Sequence, residues 1–435
     1  MDAANKLAVG TSVQAEITAM AHGGEGIARL EDGRVAFIRG GFPGDSVTVR
    51  VTELKKKFAR GEVAEVHAPG RYRGTSRCPA AQRGAGCCDF ASVAPEREAE
   101  LKASVVDDQL SRLARGVVLP ALEIVDLAPA TGWRTRARFG VDSAGRAGTR
   151  KAQSNALVTD VACSQLAPGV AEGIVGDGAR RFTPGAEVIV VIDSEGNRHV
   201  VESRRAPRGH RVEKVTEVLE GTGNVVENVG GVRFEFPVTA FWQAHVAAPQ
   251  AYSEAVSGWL SEAADALTPR HRSAVGWDLY GGVGVFVPAI ERSLAVLADI
   301  PAGATVPADT APAPAAPTIV SVDYSAAATA ATQPGLQGAQ VEVMQSTVES
   351  AIPQLPAPDV VVLDPPRVGA GAEVVRGIAA AKPQLVVHVG CDPATFARDV
   401  ATWAEAGYSV DELTLFNAFP ATHHCEVIAL LRPQT

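Results

Sequence analysis

Cys391 stands within Val386–Asp399, VVHVGCDPATFARD, directly after an apolar run. Val386, Val387 and Val389 read as a short buried strand, Gly390 ends it, and Pro393 opens a helix. Backbone N–H groups left unpaired at such a corner favour a thiolate, and so a nucleophile. A lone buried cysteine is more often structural, but two other segments weigh against that here. Val275–Val287, VGWDLYGGVGVFV, is an apolar strand reaching Asp278, followed by Gly281, Gly282 and Gly284 and then a helical run. Glycines at such a turn let backbone approach a ligand closely, although the strict G-x-G-x-x-G pattern is absent. In Asp359–Gly369, DVVVLDPPRVG, Asp364 emerges at the carboxyl end of a buried strand, and Pro365 and Pro366 forbid both helix and ladder pairing. Thr318–Asp323, TIVSVD, is another apolar strand closing on an acid. Three acid-ended strands with the cysteine on a fourth predict an α/β doubly wound sheet whose ligands bind at the strands' carboxyl ends.

These segments, in this order, resemble the S-adenosylmethionine-dependent RNA uracil C5-methyltransferases: D-L-Y-x-G-x-G, an acid ending the next strand, D-P-P-R-x-G, then C-D-P-A-T-x-A-R-D. Phe241–His245 (FWQAH) resembles the family's F-x-Q-V-N segment, and Phe419–Leu431 (FPATHHCEVIALL) its terminal strand. The resemblance implies Cys391 as nucleophile and Glu426 as base, with Gln243, Tyr280, Asp323 and Asp364 contacting S-adenosylmethionine. The chemistry explains the residue types. Uracil C5 is a poor nucleophile until a thiolate adds to C6; C5 then attacks the methyl sulfonium, and a base removes the C5 proton so that the thiol leaves. Asp323, where Glu is more usual, still offers two oxygens to ribose hydroxyls. Gly281 replaces a frequent Cys, Val285 an Asn and His245 an Asn.

The N-terminus points to RNA independently. Short alternating runs between Gly10 and Pro69, separated by Gly23–Gly24, Gly40–Gly41 and Pro43–Gly44, predict a small five-stranded barrel. AHGGEGIARLEDGRVAFIRGGFPGD resembles the TRAM domain, an OB-like RNA-binding module. Within it Lys55, Lys56, Lys57 and Arg60 are expected to form a phosphate-contacting basic turn. The net charge of −9 argues against generic nucleic-acid binding, yet residues 71–151 carry 14 Lys/Arg against 9 Asp/Glu. Arg134, Arg136 and Arg138 alternate on one potential strand face, and Arg204, Arg205, Arg208 and Arg211 cluster later. A selective phosphate-binding face on an acidic enzyme follows.

Four of the six cysteines, Cys78, Cys87, Cys88 and Cys163, read as a metal site before they read as disulfides. The resemblance implies a [4Fe–4S] cluster, although the family separates its second and third ligands by two residues whereas Cys87 and Cys88 are adjacent, so that their side chains are expected to diverge. Zinc or no metal are the alternatives. Cys425 reads as strand packing.

Expected boundaries are a TRAM domain over 1–69, a central β-rich domain over 70–239 carrying the cysteines, and a methyltransferase domain over 240–435. Ala302–Pro317, AGATVPADTAPAPAAP, is expected to be a mobile Pro/Ala insertion. No apolar run approaches the roughly 20 residues of a bilayer span, and Met1–Gly10 is polar and mixed. A cytoplasmic monomer is expected. The resemblance makes 23S ribosomal RNA the preferred substrate, because the TRAM module and cysteine quartet resemble the ribosomal branch, with transfer-RNA T-loops as the alternative. Rivals are a non-catalytic RNA-binding assembly factor, which would bind S-adenosylmethionine without methylating any RNA, and a methyltransferase of small molecules or proteins, from which Cys391 with Glu426 is the discriminator because amine methylation needs no thiol. A covalent adduct with 5-fluorouridine RNA decides against both.

Overall fold

The computed structural model describes residues 7–206, 214–264, 267–268, 272–299, 316–325 and 329–434. Arg208, Arg211 and all but the last two residues of the Pro/Ala insertion lie outside these.

The N-terminal sheet has six strands in the order Ser12–Glu16, Ser46–Leu54, Phe58–Ala68, Val35–Arg39, Glu25–Arg29, Ala19–Met20. The sixth strand is only two residues long, which is why alternation alone gave five. Three register shifts between Ser46–Leu54 and Phe58–Ala68 bend this pair around the core of Ile17, Ile38, Val47 and Val49. Gly61 allows the close crossing, since a Cβ there would lie 2.4 Å from the Val49 side chain and 2.8 Å from the Arg50 carbonyl oxygen.

A second six-stranded antiparallel sheet follows, ordered Leu157–Val158, Ala147–Arg150, Arg136–Val141, Glu187–Ile192, Arg198–Arg205, Lys214–Glu220. The hairpin Asn224–Val229/Val232–Pro237 leads from it towards the site.

The third sheet has eight strands: Val341–Gln345, Thr318–Asp323, Val275–Leu279, Val360–Leu363, Leu385–Gly390, Glu426–Pro433, Tyr408–Asn417, Glu123–Asp126. Only Glu426–Pro433 runs antiparallel to its neighbours. Val360–Leu363 and Leu385–Gly390 are buried along their whole length, as strands covered on both faces must be. From the central strand Val275–Leu279 the chain builds outward to Thr318–Asp323 and Val341–Gln345. It then returns to Val360–Leu363 on the other side. This reversal opens a crevice at the carboxyl ends, where Gly281 and Asp364 stand.

The helix Pro95–Leu113 and the strand Glu123–Asp126, expected within the central region, join this third sheet. Val106 and Leu110 share a core with Phe396, Val400 and Trp403 of the helix Pro393–Glu405. Glu123–Asp126 pairs in parallel with Tyr408–Asn417 as its edge strand. Buried Lys102 fixes the junction by donating to Asn417 Oδ1 at 2.6 Å and to the Phe419 carbonyl at 3.0 Å, while pairing with Glu98 at 2.9 Å. Glu98 in turn accepts the Ala421 N–H. The spacing of Leu101, Val105, Val106, Leu110 and Leu113 predicts a helix over Ala99–Arg115, but neither the strand Glu123–Asp126 nor the sheet that both join is marked by local periodicity. Among the described residues no helix is long and apolar enough to cross a membrane.

Candidate active site

One cavity of about 1150 Å³ is lined by all six residues that the sequence put forward for catalysis and cofactor contact: Gln243, Tyr280, Asp323, Asp364, Cys391 and Glu426. Cys87 and Cys163 of the quartet, and Arg134, Arg136 and Arg138, border the same space.

The glycine turn after Val275–Leu279 forms one wall. Tyr280 adopts φ 61, and Gly282 and Gly284 adopt φ 53 and 83. A non-glycine residue in that region is uncommon, and here it turns the Tyr280 side chain into the cavity. Gly281 admits no side chain, because a Cβ would sit 2.1 Å from Asp278 Oδ2 and 2.5 Å from Ser321 Oγ. Those two atoms hydrogen-bond at 2.9 Å beneath the turn, the hydroxyl donating. Burial pushes the Asp278 carboxyl up to about 7. The two Asp323 oxygens accept the Gly282 N–H at 3.0 Å and the Ser325 N–H at 2.6 Å. The carboxylate is thereby fixed with a lone pair on each oxygen still able to receive a hydroxyl.

The opposite wall holds the carboxyls and the thiol. Burial pushes Asp364 up to about 7. Glu426, 2% exposed, is raised well above the carboxylate range by burial and then by Asp364, with Arg367 opposing. Its Oε1 has no hydrogen-bond partner among the described residues. The Cys391 thiol is pushed up to about 12 by burial, Glu426 and Asp364, against a smaller lowering by Arg367. The helix-end argument for a thiolate therefore fails in this structure. Asp392, not Cys391, caps the helix, and its Oδ1 accepts the Ala394 and Thr395 N–H groups at 3.0 and 2.9 Å. Those donors are spent before they reach the sulfur, which is half-buried at the cavity wall beside the carboxyl groups of Glu426 and Asp364.

Arg136 donates to the Val238 and Ala240 carbonyls at 3.1 and 3.2 Å, and Arg138 to the Thr239 carbonyl at 3.2 Å. The two side chains thus brace the segment leading into Phe241–Gln243, where Phe241 is 79% exposed at the cavity wall. Arg136 is lowered to about 10 by burial and stays a cation at neutral pH. His245 stacks on Trp133 at 5.5 Å, and burial lowers it to about 4. Arg60 departs from the expected basic turn: it lies in the strand and pairs with Glu25 at 2.7 and 2.8 Å, leaving exposed Lys55, Lys56 and Lys57 at the turn.

Cys78, Cys87, Cys88 and Cys163 converge, with all four sulfurs within 4.8 Å of one another. The adjacent pair does not diverge as expected: Cys87 Sγ meets Cys78 at 3.8 Å and Cys88 Sγ meets Cys163 at 3.3 Å, while Cys78 and Cys163 lie 3.7 Å apart. Four thiolates on one tetrahedral ion with bonds of about 2.3 Å stand about 3.8 Å apart. In a four-iron cluster each thiolate binds a different corner and the sulfurs spread outward. The donor set suits either group, and the spacing is nearer to that of a single ion.

Sequence reasoning passed over Arg367, His424 and Tyr252, which also line the cavity. His424 Nε2 lies 3.3 Å from Arg367 Nη2, and its ring stands 3.9 Å from that of His423, which pairs with Asp89. The double histidine THHCE carried that signal.

A TRAM domain model matches residues 6–64, and a model described as tRNA (Uracil-5-)-methyltransferase matches residues 356–434. An uncharacterized RNA methyltransferase of Corynebacterium glutamicum is 51% identical over 425 residues, covering 98% of each chain. One of Corynebacterium efficiens is 53% identical over 424 residues, covering 98% of this chain and 95% of its own. The chain belongs to the TRAM-bearing RNA (uracil-5-)methyltransferase family. A more distant family member from Streptomyces coelicolor, also an uncharacterized RNA methyltransferase, is 32% identical over 464 residues, covering 98% of this chain and 93% of its own. Among solved structures, the Pyrococcus abyssi tRNA (uracil-54, C5)-methyltransferase in complex with S-adenosyl-L-homocysteine shares the fold. Its TM-score is 0.64 at 17% identity, with 96% of this chain and 99% of that one covered.

Proposed function

We propose that this family member transfers the methyl group of S-adenosylmethionine to C5 of a uridine in RNA through a covalent adduct between Cys391 and C6. The observation that carries the reading is the convergence of Cys391, Glu426 and Asp364 opposite Gln243, Tyr280 and Asp323 across one cavity. Asp323 would take the ribose hydroxyls, and Gln243, Tyr280 and Asp364 would hold the rest of the cofactor. The sulfonium brings a positive charge beside a thiol held at about 12 by burial and by its carboxyl neighbours, and a nearby cation favours the thiolate. Cofactor binding is thus the event that arms the nucleophile. The test uses RNA containing 5-fluorouridine, whose C5 fluorine cannot leave as a proton. With S-adenosylmethionine, wild-type protein should form a stable RNA adduct on the Cys391 peptide, and Cys391→Ala should form none. An equal adduct in both proteins sinks the covalent reading.

The preferred substrate is 23S ribosomal RNA, on the TRAM module and the cysteine quartet. A transfer-RNA T-loop is the second reading, favoured by the match of residues 356–434 to the tRNA (Uracil-5-)-methyltransferase family and by the fold shared with the Pyrococcus abyssi tRNA (uracil-54, C5)-methyltransferase. Mapping 5-methyluridine in both RNAs from a deletion strain separates them. We assign the quartet as a metal site, a [4Fe–4S] cluster by family resemblance or one zinc ion by sulfur spacing. Such a group would anchor the chain around Arg134, which faces Cys163, Cys88 and Cys87, and the methyl transfer itself needs no electron. We place the TRAM, central and methyltransferase domains at 1–69, 70–239 and 240–435, with Pro95–Asp126 packed onto the last, in a cytoplasmic monomer.

A further inference from the structure

Tyr252 lies in the helix Ala248–Ala264, just after the FWQAH segment, and is 2% exposed. Tyr252 lines the catalytic cavity, and its buried hydroxyl has no hydrogen-bond partner among the described residues. Burying a hydroxyl unpaired is costly, and phenylalanine would avoid the cost. The hydroxyl therefore calls for a partner that is met in another state of the protein.

The sheet register indicates which partner. The Tyr252 ring packs edge-on against Phe416, centroids 5.1 Å apart at 75°. Phe416 stands directly opposite Glu426 in the antiparallel ladder, so the two side chains share a face at roughly 5 Å between Cβ atoms. Tyr252 thus sits on the Glu426 side of the sheet, and among the described residues Glu426 Oε1, like Arg136 Nη1, is a further buried atom of a cavity-lining residue without a partner. An orphan donor and an orphan acceptor face one space.

We propose that, with RNA bound, the Tyr252 hydroxyl donates a hydrogen bond to one Glu426 oxygen and so aims the other at the C5 proton, making Tyr252 a positioning residue for the base. The inference rests on the covalent reading above. In the step concerned, Glu426 takes the proton from C5, the C5–H electron pair forms the C5=C6 bond, and the C6–S pair returns to Cys391 as thiolate. Tyr252 keeps its own proton throughout. Burial and the charges of Glu426 and Asp364 raise its hydroxyl well above 10, so it remains a neutral donor at working pH. The other groups facing Glu426 are Asp364, Arg367, Cys391 and Cys425.

The test is Tyr252→Phe, alone and combined with Glu426→Gln, in the full chain. The variant should bind S-adenosylmethionine normally and form the 5-fluorouridine adduct at the wild-type rate. Turnover on ordinary RNA should fall about 10- to 100-fold, the worth of one hydrogen bond to a charged group, with methylated adduct accumulating. The acid limb of the kcat profile should move to higher pH, because the carboxylate loses a donor that favours its charged form. In the Glu426→Gln background, removing the hydroxyl should change nothing further. Wild-type turnover with an unmoved acid limb, a change confined to KM, or an equal loss in the Glu426→Gln background overturns the proposal. If wild-type protein itself forms no 5-fluorouridine adduct, the covalent reading fails and this proposal fails with it.

Discussion

A thiol with a pKa of about 12 is a poor nucleophile at rest, and this can be measured on the free protein. At pH 8 its thiolate fraction is about one in ten thousand, against about one in ten for an ordinary cysteine at 9. Iodoacetamide reacts with the thiolate, so alkylation of the Cys391 peptide, followed by mass spectrometry, should be about a thousandfold slower than for an unperturbed thiol. The rate should rise about tenfold per pH unit with no plateau below about pH 11. Glu426→Gln removes the largest named charge that raises the thiol, so it should move the whole profile to lower pH. S-adenosylmethionine should accelerate alkylation at fixed pH, whereas S-adenosylhomocysteine, with a neutral sulfur, should not. A plateau with its midpoint at or below 9 in the cofactor-free protein would refute the electrostatic reasoning. Equal acceleration by the two cofactor forms would refute the arming role of the sulfonium.

Asp364, held at about 7 when folded against an ordinary 3.8, binds a proton more tightly in the native state, so its contribution to stability declines as pH rises from about 4 to 7. Asp364→Asn should therefore raise the melting temperature at pH 8, with the gain vanishing towards pH 4, while weakening S-adenosylmethionine binding by calorimetry. Gly281→Ala should weaken cofactor binding without unfolding the sheet, because the added carbon must displace the hydrogen-bonded Asp278 and Ser321 side chains beneath the turn; calorimetry with circular dichroism checks both halves. Lys102→Ala leaves Glu98 buried and partly unpaired and should cost about 3–5 kcal/mol of unfolding free energy in denaturant titration. Elemental analysis of anaerobically purified protein should give a metal at the quartet that Cys78→Ser loses; one zinc per chain supports the sulfur spacing, four irons the family resemblance.

The strand-end acids, the glycine turn and Cys391 were legible because each is a local pattern: a buried run followed by a residue that cannot continue it. Their meeting in one cavity follows from the doubly wound topology those runs imply. Other features depend on contacts between distant segments. The helix Pro95–Leu113 reads as amphipathic, but nothing local says that its apolar face meets Trp403. The closeness of Cys87 and Cys88 to Cys163 depends on how a loop 75 residues away folds back. The thiol's resistance to ionisation also stayed hidden, because Asp392 takes the helix amides and two carboxyls from other strands surround the sulfur. Arg60 misled for the same reason, since Glu25, 35 residues earlier, neutralises it.

The most direct test of the central claim follows both ends of the exchange at uridine C5. RNA carrying [5-3H]uridine is incubated with the protein and 14C-methyl-labelled S-adenosylmethionine, and tritium released to water is counted against 14C retained in RNA. The account predicts one tritium released per methyl transferred, with both absent in Cys391→Ala. Methyl incorporation without tritium release would place the methyl group elsewhere on the nucleotide and contradict it.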